Sequence, residues 1–277
     1  MIRLHNLEYH AAHSCNLHCT NCSHYSNFSK EKMPELNQIL DEFKEWGPRI
    51  HSDTINILGG EPTLNPNLCL IIEAARKHFP HSKGLLVSNG FFLSRHPELP
   101  KILIDNNFAL DISRHGNSGE YNREFETRVT PILEEWNKSY PRLHITIRSS
   151  HEHWMWQYRN ENGKPAPFTS NPRASWLVCM QRHCTQLYRN KLWKCPALAY
   201  FHQLEKIHSL EEDESWQNFR NYGGLGSELS DADIQWSLNQ QEITQCSSCP
   251  AARNRFQPPD PTDRESNLVQ LGYVRRT

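Results

Sequence analysis

Cys15, Cys19 and Cys22 stand in the run Cys15-Asn-Leu-His-Cys19-Thr-Asn-Cys22, directly after an apolar stretch that ends at Ala12. Three thiolates this close in one loop can wrap a single inorganic cluster with little backbone rearrangement. For a four-iron cube, three protein ligands leave one iron open to another molecule. Zinc is the alternative, but a structural zinc site closes with four ligands, and His13, His18 or His24 would have to supply the fourth. Five more cysteines follow late in the chain: Cys179, Cys184, Cys195, Cys246 and Cys249. Cys69 stands alone in an apolar helical segment and reads as a small buried hydrophobe. Nine cysteines, an odd number, suit metal ligation or reactive thiols in a reducing compartment better than a disulfide framework.

The elements that must position the first three cysteines are legible as an alternation. Apolar runs at Leu7–Ala12, Thr54–Leu58, Gly84–Val87, Phe108–Ile112 and His144–Ile147 read as strands. Between them lie helical stripes: Met33, Leu36, Ile39, Leu40, Phe43 and Trp46; then Leu68, Ile71, Ile72, Ala75 and Phe79; then Phe125, Val129, Ile132, Leu133 and Trp136. Strand–helix alternation predicts an α/β fold with a parallel sheet covered by helices. Five strand steps are too few for a closed eight-fold barrel, so a partial (βα) barrel of TIM type is expected. The rhythm stops near residue 150, and His151 to Arg173 reads as a long loop walling the site. These breaks divide the chain into a core at 1–174, a small cysteine-rich domain at 175–257 and a tail at 258–277 that starts extended.

The bulk composition sets bounds. With 277 residues, 37% hydrophobic, the chain can bury a real core. A formal net charge of −1 gives no case for a nucleic-acid or membrane-surface partner. No apolar stretch approaches a membrane span or a signal core, so a cytoplasmic protein is expected.

The first cysteine run resembles the signature of the radical S-adenosylmethionine (radical SAM) superfamily, Cys-x3-Cys-x2-Cys at the end of the first strand. Other family marks follow in order. Gly59-Gly60-Glu61-Pro62 is similar to the family motif that contacts the cofactor's amino group: the glycines would admit close backbone approach and Glu61 would face the ammonium. Ser88 and Asn89 end the third strand, where relatives place ribose contacts, and Ser113 and Arg114 end the fourth, suiting further ribose and carboxylate contacts. All sit at carboxyl ends of parallel strands, where such sheets bind ligands. The sequence departs from the family at Asn21, where an aromatic residue is usual.

The resemblance implies a [4Fe–4S] cluster on Cys15, Cys19 and Cys22, whose open iron chelates S-adenosylmethionine. One electron, from a donor such as flavodoxin or ferredoxin, then yields a 5′-deoxyadenosyl radical that takes hydrogen from an unactivated carbon. Cys179-x10-Asn190-x4-Cys195 with Cys246-x2-Cys249 resembles the auxiliary-cluster domain called SPASM, or its short form called twitch. This implies a second, auxiliary [4Fe–4S] cluster, with structural zinc as the alternative. Asn190 replaces the usual Gly, in a hairpin between Leu187-Tyr188 and Leu192-Trp193, and Asn tolerates a left-handed turn. Cys184 is then left over: a candidate hydrogen donor to a substrate radical, or else a buried thiol or a cluster ligand in place of Cys179.

Oxidation, as in butirosin-type dehydrogenases, or epimerisation of a small polar substrate of sugar or aminocyclitol type is the expected activity. A peptide maturase is the alternative. Such maturases often carry an extra leader-binding domain, and only fourteen residues precede Cys15, so a ribosomal peptide is the less expected substrate. A non-catalytic iron–sulfur or zinc scaffold is the contrasting class, and it has no need of a cofactor rim. Two cubes imply about eight irons per chain, and changing Cys15, Cys19 and Cys22 together to Ala leaves about four and abolishes S-adenosylmethionine cleavage. Iron analysis beside a cleavage assay checks this; cleavage surviving in the triple variant would mean that the radical cluster lies elsewhere.

Overall fold

The computed structural model describes residues 1–117, 119–264 and 267. The first part runs β1 (Ile2–Ala12), α1 (Leu36–Trp46), β2 (Ile50–Gly59), α2 (Leu68–His78), β3 (Lys83–Ser88), α3 (Leu99–Asp105), β4 (Phe108–Arg114), α4 (Gly119–Arg128), α5 (Thr130–Ser139) and β5 (Ile145–Ser149). A small hairpin, β6 (Arg159–Glu161) and β7 (Lys164–Ala166), precedes α6 (Pro172–Val178). Then come β8 (Cys184–Tyr188), β9 (Lys191–Trp193), α7 (Pro196–Ala199), α8 (Phe201–His208), α9 (Gln217–Arg220), β10 (Leu225–Gly226) and α10 (Asp231–Asn239).

One sheet of eight strands, ordered β10-β9-β8-β1-β2-β3-β4-β5, organises the chain. Every neighbouring pair from β8 through β1 to β5 is parallel. This is the expected partial barrel. Its helix-facing side, including Leu7, Ile55, Ile57, Leu86, Leu110 and Ile112, packs on helix residues such as Phe43, Trp46, Ile71, Ile72 and Phe125, all buried.

The differences from the sequence pattern have local causes. β1 and β2 extend back to Ile2 and Ile50, through residues that alternate buried and exposed rather than forming an apolar run. Met33 lies before α1, because Pro34 holds the preceding residue extended. The stripe from Phe125 to Trp136 is two helices, because Pro131 in the first turn of α5 has no N–H to continue α4. α3, at seven residues, is too short to show a period. The stretch from His151 to Arg173 carries the β6–β7 hairpin as well as loop.

The cysteine-rich segment adds to the same sheet. Cys184–Leu187 pair with Asn6–Tyr9 of β1 in parallel. β8 and β9 form the expected hairpin, and both turn residues are left-handed, Arg189 at φ 51° and Asn190 at φ 55°, as a two-residue I′ turn requires. Beyond it a second core forms around Tyr200, Phe201, Leu204, Trp216 and Phe219. The tail is tied to the first cysteine loop, since His18 N–H donates to Pro261 O at 2.8 Å and Thr20 N–H to Asn267 Oδ1 at 3.0 Å. The remainder of the expected tail, at 265, 266 and 268–277, lies outside the described residues.

Asn190 does more than turn the chain. Its N–H donates to the buried Glu42 (3.1 Å), its Oδ1 accepts from Trp46 Nε1 (2.8 Å) and its Nδ2 donates to Glu45 (2.8 Å). Glu42 also accepts from Tyr9 on β1 (2.9 Å), so hairpin, helix and sheet meet there. Asn190→Gly keeps the backbone but leaves the fully buried Trp46 indole N–H without its acceptor. It should cost about 1–3 kcal/mol of unfolding free energy, read from the denaturation midpoint. A neutral result would reduce Asn190 to a conformational role.

Candidate active site

The cysteine loop begins where β1 and β2 close together. Gly60 N–H donates to Ala12 O and Glu61 N–H to Ser14 O, both at 2.9 Å. A Cβ on Gly59 would stand 2.1 Å from Ala12 O, and one on Gly60 would stand 2.2 Å from Ser14 O. Both glycines line the cavity, but the close approach that requires them is to the cysteine loop's own backbone. Asn21 lies in that loop at φ 59°, which Asn tolerates and a bulky aromatic does not. Its Oδ1 accepts from Gln157 N–H at 2.7 Å, tying the loop to the wall that follows β5.

A cavity of about 460 Å³ opens at the carboxyl ends of the parallel strands. Cys15, Cys19 and Cys22 line one part of it, and Cys179, Cys184, Cys195 and Cys249 line another. Burial pushes the thiols of Cys15, Cys19 and Cys22 upward, and neighbouring thiols add to this at Cys15 and Cys19. Several backbone donors work the other way. Leu17 N–H lies 3.4 Å from Cys15 Sγ, and backbone groups of His24, Tyr25, Ser26 and Asn27 favour the Cys22 thiolate. Three buried sulfurs held near one another with N–H groups aimed at them fit a thiolate-bound cluster, whose iron supplies the missing positive charge. Among the described residues, neither cysteine set brings three ligand atoms within 4.8 Å of one another.

The second set comes from three separate places. Cys179 caps α6, Cys195 precedes α7, and Cys246 and Cys249 belong to a tight turn at Thr244–Ser248 and its end. Burial raises the Cys249 thiol, and Cys195, Cys179 and Cys246 raise it further. Cys195 is pushed up to about 12 by burial and then by Cys179, against the backbone N–H groups of Leu198 and Ala197. Cys184 stands apart on β8. Burial and then Glu8 raise its thiol, and Asn6 Nδ2 lies 3.9 Å from its sulfur.

The remaining expected site residues divide into three. Ser88, Asn89 and Ser113 line the cavity. Asn89 Nδ2 donates to Asn16 Oδ1 at 2.8 Å and lies 3.7 Å from Cys15 Sγ. Glu61 is fully buried and accepts from Thr63 N–H (3.0 Å), the Thr63 hydroxyl, Ser88 Oγ (2.7 Å) and Asn89 N–H (2.7 Å). Burial raises its carboxyl and these donors oppose the rise; the side chain fastens the end of β2 to the end of β3. Arg114 points toward α4, where it pairs with Glu126 at 2.7 Å and lies over the Phe125 ring.

Among the described residues, the arginine that reaches the cavity is Arg148. It sits beside Ser113 in the sheet register, donates to Ser113 Oγ at 2.8 Å and pairs with Asp111 at 3.3 Å. Sequence reasoning missed it; its signal is the alternation Ile145, Ile147 against Thr146, Arg148. Asp111 Oδ1, Asn56 Oδ1, Asn21 Nδ2 and Trp154 Nε1 are buried without a protein partner, and all four residues line the cavity. His115 lies with Nδ1 3.8 Å from Cys19 Sγ, and burial takes its ring down to about 4. Cys69, read as a buried hydrophobe, is only partly buried, and its thiol donates to Glu98 at 3.4 Å.

Residues 10–144 match the family model for the radical SAM superfamily; this stretch is a radical SAM domain. The chain is similar in structure to BtrN in complex with AdoMet and 2-DOIA, at 12% identity, over 92% of this chain and 97% of that one, with a TM-score of 0.50. It is also similar to native anSMEcpe with bound AdoMet and Cp18Cys peptide (23% identity, 51% of this chain, 42% of that one, TM-score 0.39). A third is Streptococcus suis SuiB bound to S-adenosylmethionine (16% identity, 54% and 36%, TM-score 0.41). The chain thus spans less than half the length of the last two. The likeness to BtrN is one of fold. No curated protein matches the chain.

Glu61→Gln places an amide NH2 among four donors. It should lower unfolding free energy by about 1–3 kcal/mol and weaken S-adenosylmethionine binding while iron is retained. Denaturation and equilibrium binding measure the two; an unchanged midpoint would remove Glu61 as the tie between β2 and β3.

Proposed function

We propose that this chain is a radical SAM enzyme that oxidises or epimerises a small polyhydroxylated substrate of sugar or aminocyclitol type. The observation that carries the substrate class is the set of unpartnered buried polar atoms on Asp111, Asn56, Asn21 and Trp154, with Arg148 beside them, in the cavity that also meets the cysteines. Buried polar groups are normally satisfied, and donors and acceptors interspersed around one cavity suit hydroxyl groups, which both give and accept hydrogen bonds.

Cys15, Cys19 and Cys22 would hold the radical cluster, and Cys179, Cys195, Cys246 and Cys249 an auxiliary one. When bound, the cluster and S-adenosylmethionine supply the radical that removes hydrogen from a substrate carbon. The backbone at Gly59 and Gly60, with Ser88, Asn89 and Ser113, forms the cofactor's rim. Glu61 acts from behind it as a positioning residue. Arg148 takes the place first expected of Arg114. Cys184 faces the cavity as a thiol that burial and Glu8 keep protonated, the form in which it can return hydrogen to carbon. An electron donor of flavodoxin or ferredoxin type completes the requirement. Among the described residues no helix is long and apolar enough to cross a membrane.

The reconstituted protein, kept anaerobic with dithionite, should convert S-adenosylmethionine to 5′-deoxyadenosine, and sugars or aminocyclitols should stimulate the conversion more than peptides do. Stimulation by peptides alone would overturn the substrate class. In deuterated water an epimerase places deuterium on the inverted carbon, and Cys184→Ala stops inversion while cofactor is still consumed. A dehydrogenase instead gives an oxidised product that Cys184→Ala leaves largely unaffected.

A further inference from the structure

We propose that Cys69, His96 and Glu98 form a zinc site, separate from both cysteine sets. One ligand atom from each of the three lies within 4.8 Å of the others, and the residues come from two elements, α2 and the connection that leads into α3. Cys69 is in the first turn of α2, His96 follows the tight turn Leu93–Arg95, and Glu98 precedes α3. Zinc bonds of about 2.0–2.3 Å in a tetrahedron set ligand atoms roughly 3.3–3.8 Å apart. Cys69 Sγ and Glu98 Oε1 stand 3.4 Å apart.

The donor set is balanced. One thiolate and one carboxylate neutralise a divalent ion, and mixed sulfur, nitrogen and oxygen ligands suit zinc. Three protein ligands leave a fourth position for water or the second Glu98 oxygen.

His96 supplies the independent observation. Its ring is almost fully buried, and Nε2 lies 2.9 Å from Thr63 O. A carbonyl only accepts, so Nε2 carries a hydrogen and Nδ1 is the ring nitrogen left for a metal. A histidine held by a backbone carbonyl through its other nitrogen is the usual arrangement of a metal ligand. A thiol that merely hydrogen-bonds to Glu98 would not need such a histidine beside it. The carbonyl belongs to the residue whose N–H and hydroxyl hold Glu61, so the ion would brace α2 and α3 against the turn behind the cofactor rim.

The test uses the full-length protein with its iron in place, equilibrated with zinc chloride, dialysed into metal-free buffer and assayed for zinc and iron by mass spectrometry. The wild type should keep about one zinc per chain. Cys69→Ser and His96→Gln should lose that zinc while iron content and circular dichroism stay unchanged. Glu98→Gln, at an exposed position that the core does not need, should weaken zinc binding roughly ten-fold or more against a competing chelator. Zinc should also raise the melting temperature of the wild type and not that of Cys69→Ser. A wild type that retains no zinc, equal zinc in wild type and Cys69→Ser, or an unaltered affinity in Glu98→Gln would overturn the site.

Discussion

The backbones of Gly59 and Gly60 lie against Ala12 and Ser14 with no room for a side chain between them, and the placement of the cavity follows from this closure. Two hydrogen bonds hold the start of the cysteine loop onto the end of β2. Glu61 then carries the constraint onward, because its carboxylate gathers donors from Thr63, Ser88 and Asn89. Asn89 in turn reaches Asn16 and Cys15. The ends of three strands are thereby fixed to one another around a fully buried carboxylate, where a hydrogen bond is costly to break.

Much of this was legible before any coordinates. Parallel strands buried on both faces read as apolar runs, so β1 to β5 and the helices between them show plainly. What stays hidden in the sequence is pairing across distance. Nothing local to Cys184–Leu187 announces that it lies beside Asn6–Tyr9, nearly 180 residues earlier. The same limit explains the arginines. Arg114 ends the fourth strand and looks placed for a ligand, yet it turns to Glu126, while Arg148 reaches the cavity because the register sets it beside Ser113. Glu61 shows a third kind of limit. Its position in the chain is evident, but whether a carboxylate faces a ligand or its own backbone is decided by donors that only the fold brings near.

Two features of the cavity come from elements with no periodic pattern. The wall after β5 contributes Trp154, Met155 and Gln157, and it is held by Asn21 within the cysteine loop itself. The tail closes the same loop from another side through Pro261 and Asn267. The loop that presents Cys15, Cys19 and Cys22 is thus clasped by three distant parts of the chain, a degree of support that a site needing accurate sulfur positions requires.

The strand β8 has a consequence for how such a chain can be divided or inherited. Because it covers the flank of β1 at Asn6–Tyr9, a fragment ending near residue 174 would leave the backbone groups of that central strand unpaired. Exposed edges of that kind invite other chains to pair with them and aggregate. The cysteine-rich half is therefore not an accessory that can be shed or exchanged at its sequence boundary. It is the part that makes the barrel sheet end in a short antiparallel hairpin rather than in an open template.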